Sequence, residues 1–428
     1  MKTIKYDSSP SFAEEMDLRD PLRSYRAQFH LPERGDGQSA LYFLGNSLGP
    51  QPRSAREYVS KVLDDWAARS VEAYFEGKEP WLSYPDHFIK PTAEILGALP
   101  DEIVVMNALT VNLHLMLTSF YRPTPDRFKI LVEERPFPSD FYALSSHASL
   151  HGHDPARTII RCKPRPGEQT LRTEDIESEI QQHGPSIALM LFGGVNYYTG
   201  QAFDMKRLTE AGHTQGCIIG FDLAHAAGNI PLSLHNWESD FAVWCSYKYM
   251  NAGPGGPAGC FVHEKHHGRT EIPRLAGWWG QETQKRFAMT SEFIPAPGAG
   301  GWQVSSPPIP MLAVYRAAVN LFAQTGMDQL RTKSIALTGY LEFLLQNLDS
   351  NAFSIITPGN PAERGAQLSL RTHRDGHRLF EKLLAGGVLC DWREPDVIRV
   401  APAPFYNTFT EVWTFARTLS SILRNHHD

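Results

Sequence analysis

DFAVWCSYKYMNAGPGGPAG, residues 240–259, decides how the rest of the chain is read. Phe241–Cys245 is an apolar run of the right length for a short buried strand. It stops at Ser246-Tyr247-Lys248, and a Gly/Pro-rich loop follows at 251–256. The pattern predicts a lysine at the mouth of a sheet, just past a strand end. A solvated surface lysine is the commoner case, but few of those have Trp244, Cys245, Tyr247 and Tyr249 as near neighbours. A lysine partly withdrawn from water can serve as a Schiff-base nucleophile at neutral pH.

Outward from this stretch, residues 90–265 alternate strand and helix. Strands are expected at KILVEE (129–134), RTIIRCK (157–163), SIALMLFGGV (186–195), CIIGFD (217–222) and FAVWC (241–245), with helices at 173–183 and 204–214 among those between. Near-continuous apolar strands separated by helices predict an α/β fold with a mainly parallel sheet flanked by helices. Ligands in such sheets sit at the carboxyl ends of the strands. Three strand ends are polar: Arg135–Asp140 with its two prolines, Asp222 with His225 three residues on, and Lys248. An Asp ending one strand and a Lys ending a later one suit a pyridoxal phosphate site, where the lysine takes the aldehyde carbon and the carboxylate keeps the ring nitrogen protonated. Asp222 alone reads equally well as a helix cap, and the pairing with Lys248 tips the balance.

The segment MNALTVNLHLML (106–117) offers a phosphate cradle at a helix start near Thr110, although plain capping by Thr110 is the simpler reading. Two other motifs are decoys. Gly253, Gly255 and Ala258 match a dinucleotide fingerprint, but Pro254 and Pro257 interrupt it and a strand follows. His263-Glu264-Lys265-His266-His267 is a literal HExxH, but it closes a strand-like run and meets Gly268 at once. A zinc hydrolase is therefore a remote alternative, and no metal is expected.

A chain of 428 residues exceeds one ordinary core. The division expected is an N-terminal arm with part of a small domain (1–60), a large cofactor-binding domain (61–308) and a small α+β C-terminal domain (309–428). In the last of these, helices are read at 309–324, 333–348 and 375–387, strands at 353–356, 366–371, 388–392 and 397–402, and a closing helix after them. Arg399, set among apolar residues, is either a structural ion-pair partner or a bidentate clamp for a substrate carboxylate. A net charge of −6 without a basic patch argues against nucleic acid, and the longest apolar stretch is too short for a membrane span. Five cysteines without a CxxC pair, and no apolar signal segment, point to a reduced, cytoplasmic protein.

Seven motifs in order, LGNSLG (44–49), MNALTVNLH (106–114), FPSD (137–140), FDLAHA (221–226), CSYKYMNAGPGG (245–256), GWWG (277–280) and IRVAPAPFYN (398–407), resemble the kynureninase family. The resemblance implies a pyridoxal phosphate enzyme of the aspartate-aminotransferase-like fold (fold type I). It further implies a homodimer with shared sites that hydrolyses L-kynurenine or 3-hydroxykynurenine to an anthranilate and alanine. By position, Lys248 is the Schiff-base lysine, Asp222 the partner of the ring nitrogen, and Tyr247 a proton carrier. Leu109, Thr110 and Tyr247 hold the phosphate, with Trp278 and Ser306 from the neighbouring subunit. Phe137 stacks on the ring, and Pro138, Ser139, Asp140 and His225 surround it. Arg399, Tyr74 and Ser305 lie on the substrate side. Tyr74 and Ser306 stand where animal members carry His and Asn, which points towards L-kynurenine, and Gly193 stands where some relatives carry a serine. A cysteine desulfurase of the same fold is the near alternative, but none of the five cysteines sits in the Gly/Ser-rich loop it needs.

Overall fold

The computed structural model describes residues 4–35, 37–348 and 351–424. Residues 1–3 and 36 of the expected N-terminal arm lie outside that set. Seven strands form the main sheet: β1 (Ile103–Val105), β2 (Lys129–Glu133), β3 (Ile159–Cys162), β4 (Ile187–Gly193), β5 (Ile218–Asp222), β6 (Phe241–Trp244) and β7 (Gly259–Val262). Their order across the sheet is β1-β7-β6-β5-β4-β2-β3, and only β7 runs against its neighbours. The expected mainly parallel sheet is there. The sequence reading missed β1, whose three residues are too few to show a period.

Alternation along each strand feeds two cores, as a sheet covered on both faces requires. Ile130, Val132, Leu189, Leu191 and Val243 pack on one side with helices α4 (Leu109–Phe120) and α5 (Pro138–Leu150). Leu131, Met190, Phe192, Phe221 and Trp244 pack on the other with α6 (Thr173–His183), α7 (Met205–Thr214) and α8 (Ile309–Thr325). The expected start of a strand at residue 157 is corrected: Pro155–Thr158 is a helical turn capped by Asp154, and β3 begins after it.

A second, antiparallel sheet joins β8 (Phe353–Ile355), β9 (Leu368–Thr372), β10 (Asp391–Arg393) and β11 (Val397–Val400) in the order β8-β9-β11-β10. Helices α9 (Met327–Gln346) and α11 (Phe409–Arg424) pack together beside it, and α1 (Pro10–Arg19) lies against α11. The single strand expected over 388–392 is divided: Val388–Leu389 pairs instead with Leu41–Tyr42. Thus the stretch before LGNSLG is tied to the C-terminal part of the chain. No described helix is long and apolar enough to cross a membrane.

Asp240, just before β6, is a knot at the sheet's lower edge. Its side chain is 3% exposed and accepts bonds from the Ile219 N–H at 2.7 Å, His213 Nε2 at 2.9 Å, His266 Nε2 at 2.8 Å and Lys265 Nζ at 2.9 Å. The HExxH segment is thereby accounted for. It forms one 3-10 turn, Glu264–His266, not an α-helix, so its histidines do not share the face a zinc site needs. His263 instead stacks on His235 beside Glu102, whose two oxygens already accept from His235 Nδ1 and from the Leu99 and Glu264 N–H groups.

Burial alone would raise the Asp240 pKa, but the bonds from His213, His266 and Lys265 outweigh it and hold the carboxyl well below the usual range. A depressed folded pKa stabilises above the unfolded value, about 3.9, and that contribution fades as pH falls below it. Asp240→Ala is expected to cost about 3–5 kcal/mol near neutral pH. Denaturant melts of both proteins should show the difference shrinking on acidification below about pH 4.

Candidate active site

Lys248 sits where β6 runs out. Ser246 turns the chain, its hydroxyl donating to the Pro257 carbonyl at 2.7 Å, and the Ala252 N–H returns to the Ser246 carbonyl at 2.9 Å. Asn251 holds the loop in the left-handed region at φ 61°. The Gly/Pro segment that mimicked a nucleotide motif is thus the return arm of the lysine's own turn. LGNSLG backs it: the Gly49 N–H donates to the Tyr247 carbonyl at 2.7 Å. A Cβ at Gly49 would lie 2.4 Å from the Lys248 carbonyl oxygen and 2.2 Å from Asn251 Oδ1, so only glycine fits there.

The lysine enters a cavity lined by Leu109, Thr110, Phe137, Ser139, Asp140, Asp222, His225 and Tyr247, together with Glu133, Gly193, Asn196 and Tyr197. Its Nζ is 5.7 Å from the centre of the Phe137 ring and 5.8 Å from that of Tyr247. The first eight lining residues were all expected from the sequence. Asn196 and Tyr197 were not: they follow β4 in a loop with no period to mark them. Glu133 was read only as part of a strand. Pro138 is the first residue of α5 and sets its start without lining the cavity.

The expectation that Thr110 caps α4 is corrected. The cap is Ala108, which has no side chain to offer, so the first N–H groups of the helix are left for another acceptor. The Thr110 hydroxyl lies 2.7 Å from that of Ser139. This edge of the cavity is built to take an anion.

The opposite wall is acidic. Asp222 accepts the Ala224 N–H at 2.7 Å. Burial raises the pKa of both Asp222 and Asp140. The Asp222 charge pushes Asp140 further up, while Asp140 and Lys248 draw Asp222 back down, so Asp140 holds a proton more firmly than Asp222 does. Burial and the nearby charges of Lys248 and Arg399 keep His225 neutral. Burial, then the Cys245 thiol, raises the Tyr247 pKa and keeps the phenol protonated. Asp140 Oδ1, Glu133 Oε2 and His225 Nδ1 are buried without a hydrogen-bond partner, which leaves polar capacity for a bound group.

Arg399 is 1% exposed and does not line this cavity. Nη2 pairs with Asp391 at 2.5 Å and donates to the Ser47 hydroxyl at 3.1 Å, Nη1 donates to the Tyr197 carbonyl at 2.8 Å, and Nε has no partner. Tyr74 packs on Trp81 and Trp279 with ring centres 5.1 and 6.2 Å away. Trp278 is 48% exposed and donates to the Arg286 carbonyl, and Ser305 and Ser306 are exposed. None of these four lines the cavity within one chain.

A kynureninase from Myxococcus xanthus is 52% identical to this chain, covering 98% of each, and one from Flavobacterium psychrophilum is 51% identical, covering 98% of this chain and all of its own. The chain belongs to the kynureninase family. The family profile described as "Kynureninase C-terminal domain" matches residues 330–419. Among solved structures, a cysteine desulfurase from Escherichia coli superposes with a TM-score of 0.75 at 16% identity, over 94% of this chain and 98% of its own. That likeness establishes the pyridoxal phosphate fold type I architecture, as expected. Like other kynureninases, the protein is a pyridoxal phosphate enzyme, and the uncapped helix, buried lysine and orphaned acidic wall fit that cofactor.

Gly49→Ala should drive the Lys248 turn outward while leaving every cavity side chain unchanged. The cofactor dissociation constant, measured by fluorescence on the apoenzyme, is expected to weaken about tenfold, equivalent to about 1.4 kcal/mol.

Proposed function

We propose that this protein hydrolyses L-kynurenine to anthranilate and L-alanine. The observation that carries this is a buried lysine facing a coupled pair of carboxyl groups, in a chain matched end to end by kynureninases. Bound pyridoxal phosphate supplies an electron sink for cleavage of the bond between the β and γ carbons. The side chains do the rest. Lys248 would hold the cofactor through its aldehyde carbon, and its amine would move the proton of the substrate α-carbon. Asp222, kept ionised by a bond from Asp140, holds the proton of the ring nitrogen. Leu109, Thr110 and Tyr247 would receive the phosphate; water adds to the substrate's γ-carbonyl, the β–γ bond breaks to release anthranilate, and the Tyr247 phenol would give its proton to the β carbon that becomes the alanine methyl group. Phe137 covers the ring face, with Pro138, Ser139 and His225 around it.

Arg399 receives the substrate α-carboxylate. Its unpartnered Nε supports this, since Asp391 and Ser47 already hold the rest of the guanidinium in orientation. Trp278 and Ser306 do not line the cavity of their own chain and are exposed, as fits residues completing the site of a second subunit in a homodimer. Tyr74 and Ser305 belong to the substrate side of that shared site, and Tyr74 and Ser306 favour the unhydroxylated ring. The reaction places the protein in tryptophan catabolism, in the cytoplasm. Residues 61–308 are read as the cofactor-binding unit and 309–428 as the small one. The alternative desulfurase chemistry needs a reactive, exposed thiol. All five cysteines are buried, and burial raises each thiol's pKa, which makes them inert.

Purified protein should be yellow, and Lys248→Ala should lose that absorbance band and about 10²–10⁴-fold or more of its activity. Steady-state kinetics should give a higher kcat/KM for L-kynurenine than for its 3-hydroxy analogue. The reverse preference would remove the roles given to Tyr74 and Ser306, and a colourless protein would remove the mechanism.

A further inference from the structure

The roles above leave one buried acid of the cavity unused. Glu133 ends β2, is 4% exposed, and lies in a row of strand ends with Gly193 and Asp222, which are paired in register across β4 and β5. Its Oε1 accepts the Gly193 N–H at 3.1 Å, and its Oε2 has no partner. The row is open because residue 193 has no side chain: a Cβ there would lie 3.0 Å from Glu133 Oε1. Glu133 is also a shared wall. Behind it is a polar cavity of about 310 Å³, lined by Glu134, Lys163, Glu168 and Asn196 among others.

We propose that Glu133 is a positioning residue of the cofactor site: across the gap left by Gly193, its carboxyl group acts on Asp222 and so sets how firmly the proton of the cofactor's ring nitrogen is held. This rests on the assignment of Asp222 to that nitrogen. The argument is one of charge in a dry place. Asp222 already has Asp140 as a neutral, donating neighbour. A protonated Glu133 leaves that arrangement undisturbed. An ionised Glu133 adds a like charge, which raises the proton affinity of the Asp222–ring nitrogen pair. Gly193 leaves the space beside Glu133 free of any side chain, where a serine would interpose one.

The balance is poised. Burial first, then the charge on Asp222, pushes Glu133 up to about 7, against bonds from its own backbone N–H and that of Gly193. The charged and titratable groups around it are Asp222 on β5, Asp140 on α5, Lys248 beyond β6, Tyr197 after β4, Cys162 on β3, and Glu134, Arg135, Lys163 and Glu168 on the side of the second cavity. That cavity gives the Glu133 proton a polar route that does not cross the cofactor pocket. The ring nitrogen's proton is thus coupled to pH through Glu133, acting by way of Asp222.

The test is nuclear magnetic resonance of the holoenzyme carrying cofactor labelled with ¹⁵N in its ring, titrated from about pH 6 to about pH 9, a range spanning the shifted carboxyl. The wild-type resonance should show an inflection near neutrality, mirrored in the pH profile of kcat. Glu133→Gln keeps shape and hydrogen bonding but cannot ionise, and should lose both inflections while retaining cofactor. Gly193→Ser, which fills the gap, should move the midpoint by about half a pH unit or more, and serves as the second variant should Glu133→Gln fail to fold. A Glu133→Gln titration superimposable on wild type would overturn the proposal. Asp222→Asn separates the two levels: it should shift the resonance at every pH. If it does, and Glu133→Gln does not, only the role of Glu133 falls; if it does not, the assignment of Asp222 falls and takes Glu133 with it.

Discussion

Lys248 and the carboxyl groups of Asp222 and Glu133 at strand ends, with that of Asp140 on α5, are enclosed together, and charges withdrawn from water are stable only when each is answered. Around Lys248, burial raises the pKa of Asp222, Asp140 and Glu133 alike, and the Asp222 charge adds to the rise at the other two. Most of the surrounding structure follows from that requirement. The strand ends must be close, so the sheet is parallel there. The lysine must stay in, so its turn is locked by Ser246, Asn251 and Gly49. The anion-accepting edge must be elsewhere, so it is the uncapped start of α4.

The sheet's lower edge solves the same electrostatic problem in another way. Asp240 is fully charged and is satisfied by two histidines, a lysine and a backbone N–H. No acid there has orphaned capacity of the kind seen around Lys248, and the Glu102 oxygens are likewise taken. The contrast lies in the acids: both oxygens of Asp240 and of Glu102 accept hydrogen bonds, whereas Asp140 Oδ1 and Glu133 Oε2 in the cavity above have no partner.

Much of this was legible from residue order. Strand-end polarity picked out Asp222 and Lys248 because a sheet buried on both faces leaves polar residues only at its rims. What stayed hidden depends on pairing between distant residues. Asp391 clamps Arg399 because they stand opposite each other in antiparallel register, a relation that residue spacing does not reveal. Thr110 looked like a cap, since its hydroxyl suits that role; the helix begins one residue before it, and the hydroxyl turns to Ser139. The HExxH pattern misled for the reverse reason, as its spacing was right but the local backbone is a 3-10 turn. Glu133 was invisible as a site residue because it ends an apolar strand and its partner is a backbone N–H.

The pairing of Leu41–Tyr42 with Val388–Leu389 bears on how the molecule is made. The segment that wedges Gly49 under the lysine turn is synthesised early, yet its strand partner is among the last parts of the chain to emerge. Contacts between such distant residues carry a large loop-closure cost and form late. The sheet and its strand-end acids can therefore assemble before the lysine turn is locked. Competence to retain the cofactor is expected only once residues 388–389 have paired, which makes cofactor capture a report on the joining of segments far apart in the chain.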